Sequence, residues 1–393
     1  MNKIRLGIIG MGNMGSGHLR SVIDGQCPRI EVTAAADIDP KRLDFVREKL
    51  PSAACFTDAE EMLDSGLIDA ALIAIPHYDH PKYAIECFKR GIHVMTEKPA
   101  GVFARQVREM NEAAERSDVK FAIMFNQRAN PLFARAREIV QSGQLGSSKR
   151  LVWIVTNWYR TQAYYNSGSW RATWNGEGGG VLLNQAPHNL DLWQWIFGMP
   201  KKVRAFCHFG KYHNIDVEDD VTIYGEYENS ATSVFISTTG EAPGTNRLEI
   251  SGDLGKLVLE DGKLKWWKLT MPEREFCFTC KEGFCAPDTS YEDFTAEEPD
   301  GHPILLNNFA DAILDGAELI SDGREGLNSL SISNAAYISS WTDNWAEIPT
   351  DEALFEEHLL ELCRKEKLKA QASASGDDPE KPEKLNERWK VRW

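Results

Sequence analysis

The fold is decided near the start of the chain, where the apolar run Ile4-Arg5-Leu6-Gly7-Ile8-Ile9 leads directly into Gly10-Met11-Gly12-Asn13-Met14-Gly15. The glycines match the G-x-G-x-x-G pattern that joins a first strand to a first helix in dinucleotide-binding domains. In that pattern the first glycine makes a tight turn, the second lets the backbone approach a pyrophosphate, and the third lets the helix pack on the strand. We therefore expect a nucleotide to lie against this turn, in contact with Gly10, Gly12, Asn13, Met14 and Gly15.

A carboxylate follows at the spacing that the nucleotide pattern requires. A second apolar run covers residues 31–36 and ends at Asp37, about twenty residues beyond the last glycine. A carboxylate at that place accepts hydrogen bonds from the adenosine ribose of NAD and repels the additional phosphate of NADP. Asp37 is therefore predicted to bind the cofactor and to favour NAD over NADP.

Strand-like and helix-like segments alternate as far as residue 125. Short apolar runs, separated by segments of helical periodicity, occupy residues 4–9, 31–36, 67–75, 91–95 and 120–125. This alternation is typical of a doubly wound parallel sheet with helices on both faces. We predict a nucleotide-binding domain over residues 1–125.

The pattern changes after residue 125. Strand-like runs joined by turns follow at 150–157, 203–209, 220–227, 231–238, 247–251 and 256–259. Runs of this kind indicate a largely antiparallel sheet. Helices are predicted at 131–142, 305–315 and 326–345. We predict a second domain over residues 126–350, followed by a charged extension over residues 351–393.

The overall composition limits the classes of partner. The chain has 44 lysines and arginines against 59 aspartates and glutamates, so its formal net charge is −15. A surface that is acidic on average repels phosphate backbones and anionic headgroups, so neither nucleic acid nor a membrane is expected as a partner. No run approaches the roughly 18 apolar residues of a bilayer span and no signal peptide is recognisable, so a cytoplasmic location is expected.

Eight cysteines are spread over a chain that is long enough to fold without disulfides. Cys277, Cys280 and Cys285 form a local cluster of three sulfurs without an obvious fourth ligand, whereas structural zinc takes four ligands. We predict free thiols and no bound metal.

Two further parts of the chain carry a family resemblance. The segment Ile75-Pro76-His77-Tyr78-Asp79-His80 and the later Glu97-Lys98-Pro99 resemble motifs of the Gfo/Idh/MocA family, whose members include glucose–fructose oxidoreductase and inositol dehydrogenase. The glycine-rich stretch 178–187, followed by His188, resembles the same family. The resemblance runs in order from about residue 3 to about residue 349.

The resemblance implies an architecture and a set of cofactor contacts. It implies an α/β protein with an N-terminal Rossmann domain and a C-terminal α/β domain, whose open, mainly antiparallel sheet often builds dimers or tetramers. It also implies that Glu97-Lys98-Pro99 lies at a strand end beside a nicotinamide. The further cofactor contacts predicted on this basis are Ile75, Pro76, His80, Glu97, Lys98 and Asn126.

Two residues are predicted to carry the chemistry. Lys98 follows a strand at the edge where doubly wound sheets bind ligands, and its ammonium can stabilise an alkoxide that forms as hydride leaves. His188 matches the family's downstream histidine, and an imidazole that titrates near neutral pH can take the hydroxyl proton. Asn184 stands where many relatives have aspartate, so an amide that can bind a substrate hydroxyl or orient His188 replaces the usual acid.

An aromatic stretch between residues 153 and 174 is predicted to supply walls of a substrate pocket. Aromatic faces stack on the C–H faces of sugars, and guanidinium and amide groups bind hydroxyls. The predicted substrate contacts are Lys98, Tyr159, Arg160, Trp170, Arg171, Asn184 and His188. The alternative interpretation of these aromatic residues is core packing, which is expected to apply to some of them.

The sequence therefore favours an NAD-dependent oxidoreductase, a homo-oligomer that acts on a secondary hydroxyl of a sugar, glycoside or cyclic polyol. The alternative is an NAD-dependent glycosidase that oxidises its substrate transiently, eliminates the aglycone and re-reduces the product. A non-catalytic dinucleotide sensor is the third hypothesis, against which the presence of both Lys98 and His188 argues. Residues 371–382 are predicted to form a linker, and the basic end with Trp389 and Trp393 to wrap a neighbouring subunit or to be disordered.

Overall fold

The computed structural model describes residues 2–373, which form two compact units. The first unit contains the chain up to Ala129 together with Gly176–Gly178 and Asp300–Leu330. The second contains Asn130–Asn175, Gly179–Pro299 and residues 331–373. The sequence predicts a single domain boundary at residue 125, whereas in the structure residues 300–330 also belong to the first unit.

The strands and helices follow one another along the whole described chain. The strands are β1 (Ile4–Ile9), β2 (Ile30–Ala36), β3 (Ala54–Phe56), β4 (Ala70–Ile73), β5 (His93–Thr96), β6 (Phe121–Ile123), β7 (Ser148–Val155), β8 (Lys202–Phe209), β9 (Glu218–Glu226), β10 (Thr232–Thr238), β11 (Asn246–Gly252), β12 (Gly255–Glu260), β13 (Lys263–Leu269), β14 (Thr289–Thr295) and β15 (Ala346–Glu347). The helices are α1 (Asn13–Ile23), α2 (Leu43–Lys49), α3 (Ala59–Asp64), α4 (His80–Lys89), α5 (Ala104–Glu115), α6 (Pro131–Gln141), α7 (Gln162–Tyr165), α8 (Pro187–Phe197), α9 (Glu273–Thr279), α10 (Gly301–Asp315), α11 (Gly326–Thr342) and α12 (Glu352–Ser373).

The strands of the first unit form a parallel six-stranded sheet in the order β3-β2-β1-β4-β5-β6. The strand order reverses between β1 and β4, and ligands of such sheets bind beyond the carboxyl ends of the strands at this reversal. Ile9 at the end of β1 lies beside both Ala36 of β2 and Ile73 of β4. Ile73 in turn lies beside Thr96 of β5. Four strands therefore end side by side, and the segments that follow them share one edge of the sheet.

The return of residues 300–330 to the first unit has a simple physical cause. The buried face of α10, which includes Leu306 and Phe309, belongs to the same hydrophobic cluster as Leu6 and Ile8 of β1. An amphipathic helix has to cover its apolar face with another element, and α10 covers it with the core of the parallel sheet.

The second unit is built on a nine-stranded mixed sheet in the order β14-β13-β12-β11-β7-β10-β9-β8-β15. Every neighbouring pair is antiparallel except β7 and β10, which run parallel. Alternate residues of β9 and β10 are buried, as expected for a sheet with one face covered. On the covered face, Trp193 of α8 stacks on Phe235 of β10. The predicted fold class, a parallel Rossmann sheet plus an open, mainly antiparallel sheet, is confirmed.

Two strands at one end of this sheet, β13 and β14, were absent from the sequence prediction. Six of the seven residues of β14, Thr-Ser-Tyr-Glu-Asp-Phe-Thr, are exposed. An edge strand without buried alternate positions lacks the period-two hydrophobic pattern by which strands are predicted. Its pairing with β13 is therefore visible only in three dimensions.

The charged segment after residue 350 begins as the long helix α12. Phe355 and Leu359 of this helix are buried, and the ring of Phe355 stacks on Trp341. Residues 371–373 are still helical, so the predicted linker cannot begin at residue 371. The rest of that linker, together with Trp389 and Trp393, lies outside the described residues. Within residues 2–373, no helix has both the length and the apolar character needed to cross a membrane.

Candidate active site

The three glycines of the first turn are required for three different reasons. Gly10 has a φ of +92°, and a methyl group added to it would lie 2.4 Å from the carbonyl oxygen of Ala74. A methyl group on Gly15 would lie 1.9 Å from the carbonyl oxygen of Gly10, so this glycine lets α1 approach β1. At Gly12 the nearest atom is 3.7 Å away, on Arg42. The space above Gly12 is therefore open, as the close approach of a pyrophosphate to the backbone requires.

The start of α1 supplies hydrogen-bond donors beside that space. Asn13 and Met14 are the first two residues of the helix, and Gly12 is its N-cap. The first amides of a helix have no partner within it, and the helix dipole favours negative charge at this end. The residues predicted to contact a dinucleotide therefore lie at a turn whose geometry suits an anion.

Asp37 directly follows β2 at the shared edge and is buried. One carboxylate oxygen accepts a hydrogen bond from the amide of Met11 at 2.7 Å, and the other accepts one from the amide of Asp39 at 2.8 Å. The Asp37 carboxylate thus holds the glycine turn in place. The guanidinium of Arg42 lies 3.6 Å from the same carboxylate and extends into solvent, which places a positive charge beside the predicted ribose site.

Glu97 and Lys98 follow β5 at the same edge. The Glu97 side chain is buried, and its Oε1 lies 2.7 Å from Nε2 of His18 on α1. Burial raises the pKa of Glu97, but the hydrogen bond and charge of His18, with smaller contributions from His302 and Lys98, outweigh burial and lower the pKa to about 2. Glu97 is therefore a permanent anion directly before Lys98, whose side chain is half-buried.

His80 lies in the same region but is saturated by the backbone. Its ring is fully buried, with Nδ1 2.8 Å from the carbonyl oxygen of Pro99 and Nε2 2.7 Å from that of Ile75. No ring nitrogen is left to contact a cofactor. We therefore assign His80 to positioning: it joins the segment containing Ile75 and Pro76 to the segment that follows Lys98.

Asn126 presents an unsatisfied acceptor in the first unit. Its amide nitrogen lies 3.4 Å from Nδ1 of His302, while its buried Oδ1 has no hydrogen-bond partner among the residues that the structure describes. A buried polar atom without a partner indicates a missing ligand or water. Asn126 follows β6, so this oxygen suits the predicted contact with the cofactor.

In the second unit, the predicted substrate residues converge on Tyr164, which is absent from the predicted contacts. The guanidinium carbons of Arg171 and Arg160 lie 4.7 Å and 5.1 Å from the centre of the Tyr164 ring. The Tyr164 hydroxyl accepts a hydrogen bond from Arg171 at 2.9 Å, and the amide groups of Asn184 and Gln185 lie 3.5 Å and 3.4 Å away. The structure thus brings Arg160, Arg171 and Asn184 together around one ring.

The other aromatic residues of this stretch divide into two groups. The first group is buried, so for its members the core-packing interpretation is correct: Trp153, Trp158, Tyr165 and Trp174. Tyr159 is exposed and Trp170 is half-buried, with the Arg171 guanidinium 4.6 Å from the centre of the Trp170 ring. Only this second group remains available to a substrate.

His188 is the second residue of α8 and is half-buried. Asn184 precedes this helix and lies in a turn, in which its backbone amide donates a hydrogen bond to the carbonyl of Gly180 at 3.0 Å. The geometry of this turn therefore decides how Asn184 is presented to the residues around Tyr164.

Glu218, which sequence reasoning missed, holds that turn. Its fully buried carboxylate accepts hydrogen bonds from the amides of Gly180 at 2.9 Å and Leu182 at 2.8 Å. Burial raises the pKa of Glu218 to about 7, although these amides partly offset it. A methyl group on Gly180 would lie 1.9 Å from the Glu218 carbonyl oxygen. These contacts explain one glycine of the motif by packing, and not by contact with a ligand.

A second carboxylate, from the charged extension, holds the aromatic stretch. Glu366 of α12 accepts hydrogen bonds from the backbone amides of Trp174 and Asn175, each at 2.9 Å, and from the Asn175 side chain at 2.6 Å. The carbonyl of Cys363 accepts a further bond from that side chain at 2.9 Å. The extension is therefore part of the structure that positions the residues next to Arg171.

A Rossmann unit with this glycine turn, joined to a unit with an open mixed sheet, defines the class of nucleotide-binding oxidoreductases with two domains. Comparison with family models identifies the family within that class. Residues 4–125 match the oxidoreductase family with an NAD-binding Rossmann fold, and residues 133–258 match the GFO/IDH/MocA C-terminal domain. The chain belongs to the Gfo/Idh/MocA family of oxidoreductases.

The chain is similar to several known proteins of this kind. It is 30% identical over 199 residues to the rhizopine catabolism protein MocA of Rhizobium meliloti, covering 50% of this chain and 58% of that protein. It is 28% identical to the myo-inositol 2-dehydrogenase of Thermotoga maritima, covering 66% of this chain and 75% of that protein. The WlbA dehydrogenase from Bordetella pertussis, solved with NADH and UDP-GlcNAcA, is 25% identical with a TM-score of 0.75, covering 89% of this chain and all of the other. The chain spans about half the length of the first curated relatives that it matches.

Proposed function

We propose that this protein is an NAD-dependent dehydrogenase that transfers a hydride between a secondary hydroxyl of a sugar, glycoside or cyclic polyol and the nicotinamide. One observation carries the proposal: the glycine turn, Asp37 and Lys98 follow strands that end side by side at the switch point of a parallel sheet. That edge is where such sheets bind a dinucleotide, which supports a role for the Lys98 ammonium group beside the cofactor. The relatives named above include one dehydrogenase of inositol and one dehydrogenase solved with NADH.

The residues of this chain divide the work of the reaction. The cofactor, when bound, supplies the hydride acceptor. Lys98 donates a hydrogen bond to the substrate oxygen and stabilises the negative charge that grows on it as the hydride leaves. His188 takes the hydroxyl proton as the carbonyl forms. Glu97 is ionised at every working pH, so it keeps a negative charge beside Lys98.

The substrate pocket is assigned to the group around Tyr164. Arg160, Arg171 and Asn184 supply hydrogen-bond donors, and Tyr159 and Trp170 supply aromatic faces for the apolar side of a sugar ring. Support comes from the arrangement of both guanidinium groups over one ring and from the partial exposure of Trp170. The amide of Asn184 cannot act as a base, so the proton passes to His188 without help from the acid usual in the family.

The proposal is tested by measuring bound nicotinamide in the purified protein and then the absorbance of the reduced cofactor with a panel of sugars, polyols and nucleotide sugars. Lys98→Ala and His188→Asn are each expected to lower turnover at least about hundredfold while the cofactor stays bound. Exposed residues provide the controls, Lys82→Ala and His208→Asn, which should keep wild-type turnover. Cofactor binding without reduction by any member of the panel would overturn the proposal.

The alternative functions predict other outcomes. Release of an aglycone without net cofactor reduction would indicate a glycosidase, but none of the relatives named above carries the name of a glycosidase, so they give that alternative no support. Binding without turnover of any kind would indicate a sensor. The cytoplasmic location and the homo-oligomer predicted from the sequence remain proposals, which fractionation and native mass measurement test.

A further inference from the structure

The turn between α9 and β14 brings together two thiols that the proposed hydride transfer does not use. Sγ of Cys280 lies 2.7 Å from Sγ of Cys285, five residues further on. Both sulfurs also point at one backbone carbonyl, that of Glu282, at 3.7 Å and 3.4 Å. The two side chains therefore face each other across the four residues that separate them.

These thiols differ from the cysteines of the core. Cys27, Cys87 and Cys207 are buried, and burial raises the pKa of Cys27 to about 11 and that of Cys87 to about 12. Cys285 is exposed and Cys280 is partly exposed. A thiol reacts only if it is accessible and can form a thiolate. Among the described residues, Cys280 and Cys285 are two thiols that are in contact with each other and accessible to solvent.

A metal does not explain the pair. The third cysteine of the cluster, Cys277, lies on α9 and is exposed. Among residues 2–373, no group of three or more histidine, cysteine, aspartate or glutamate side chains is arranged to hold a metal ion. Structural zinc takes four such ligands, so chemistry between two sulfurs remains.

We propose that Cys280 and Cys285 are a redox-active dithiol that closes to an intramolecular disulfide by exchange with a low-molecular-weight disulfide. The Cys280 thiolate attacks one sulfur of the small disulfide, forming a mixed disulfide and releasing one small thiolate. The Cys285 thiolate then attacks the Cys280 sulfur and expels the second small thiolate. Two protein thiols are oxidised, one small disulfide is reduced to two thiols, and the two protein protons end on the released thiolates.

The directions of the two pKa shifts favour one order of attack. The hydrogen bond between the two thiols lowers the pKa of Cys280 and raises the pKa of Cys285. Cys280 is therefore the first nucleophile and Cys285 the resolving thiol.

The turn itself allows closure. A methyl group on Gly283 would meet no atom within 4 Å, and Phe284 is fully exposed, so no packing holds the turn against a small movement. Closing so short a loop costs little chain entropy.

The experiment incubates the full-length protein with oxidised glutathione and identifies the products by intact mass and by peptide mapping without reduction. We expect the wild type to lose two thiols and to yield a peptide linked through Cys280 and Cys285. Cys285→Ser should stop at a stable mixed disulfide on Cys280. The matched control, Cys277→Ser, should close as the wild type does.

Three results would overturn the proposal. They are free thiols at both positions after incubation, a separate glutathione on each cysteine, or a bond that uses Cys277. None of these results depends on hydride transfer, so the dithiol proposal and the proposed dehydrogenase activity are tested independently of each other.

Discussion

Nε2 of His18 and Oε1 of Glu97 lie 2.7 Å apart in a site where both side chains are almost fully buried. His18 belongs to α1, the helix of the glycine turn, and Glu97 directly precedes Lys98. The pair thus connects the helix that faces the pyrophosphate to the segment that carries the proposed catalytic ammonium. Removing either partner would leave a buried polar group unpaired, which is costly.

Because of this pair, the free energy of unfolding depends on pH in the acid range. The pKa of Glu97 falls from its ordinary value of 4.5 to about 2 in the folded state, so folding favours the ionised carboxylate. The contribution is fully present above pH 4.5 and is lost as the pH falls toward 2, and it amounts to about 3 kcal/mol. Urea unfolding between pH 5 and pH 3 should show about half of this loss in the wild type and a smaller pH slope in Glu97→Gln. The exposed control Glu48→Gln should keep the wild-type slope.

Two substitutions in the glycine turn should distinguish an effect on cofactor binding from an effect on the stability of the fold. Gly12→Ala adds a methyl group in open space and should leave the melting temperature unchanged, while the Kd for the dinucleotide rises at least about tenfold. Gly15→Ala puts the same methyl group against a backbone oxygen and should destabilise the fold by about 1 to 3 kcal/mol. Calorimetry gives the melting temperature and the stability of each variant, and cofactor titration gives the Kd. Equal loss of stability in both variants would contradict the assignment.

Cofactor choice depends on two neighbouring residues of opposite charge. Asp37 disfavours the additional phosphate of NADP, whereas Arg42, 3.6 Å from it, offers that phosphate a partner. We propose that NAD is preferred and that Arg42 supports the residual use of NADP. Arg42→Ala should lower kcat/KM for NADP about tenfold or more and change that for NAD little. A fall of the same size with both cofactors would instead assign Arg42 to the turn itself.

Glu366 is predicted to act as a positioning residue for the substrate stretch. Glu366→Ala removes three hydrogen bonds to Trp174 and Asn175, so the chain around Arg171 should open more often. Limited trypsin digestion should cut after Arg171 about tenfold faster, and KM should rise more than kcat falls. Glu366→Gln keeps one acceptor oxygen, so its cleavage rate and its KM should lie between those of the wild type and those of Glu366→Ala. Glu361→Ala, on the exposed side of the same helix, is the control and should behave as the wild type.

Much of the first unit was predictable because its signals are local. The strand, the glycine turn and the acid at the next strand end are read along a single stretch of chain, and each has one physical role. The order of the parallel strands then follows from the alternation of strands and helices. Even here the role of His80 was not predictable, because its two carbonyl partners are recognised only once the segments have folded together.

Local sequence patterns were enough to predict the nucleotide-binding turn, the place of Asp37 and Lys98, and the family. The tertiary structure decided that α10 packs on the first unit, that Tyr164 gathers the arginines, and that Glu218 and Glu366 hold the turns beside them. Those carboxylates act on amides 36 to 38 and 191 to 192 residues away in the chain. A hydrogen bond depends on the positions of two atoms in space, so contacts between such distant segments leave no pattern in either one.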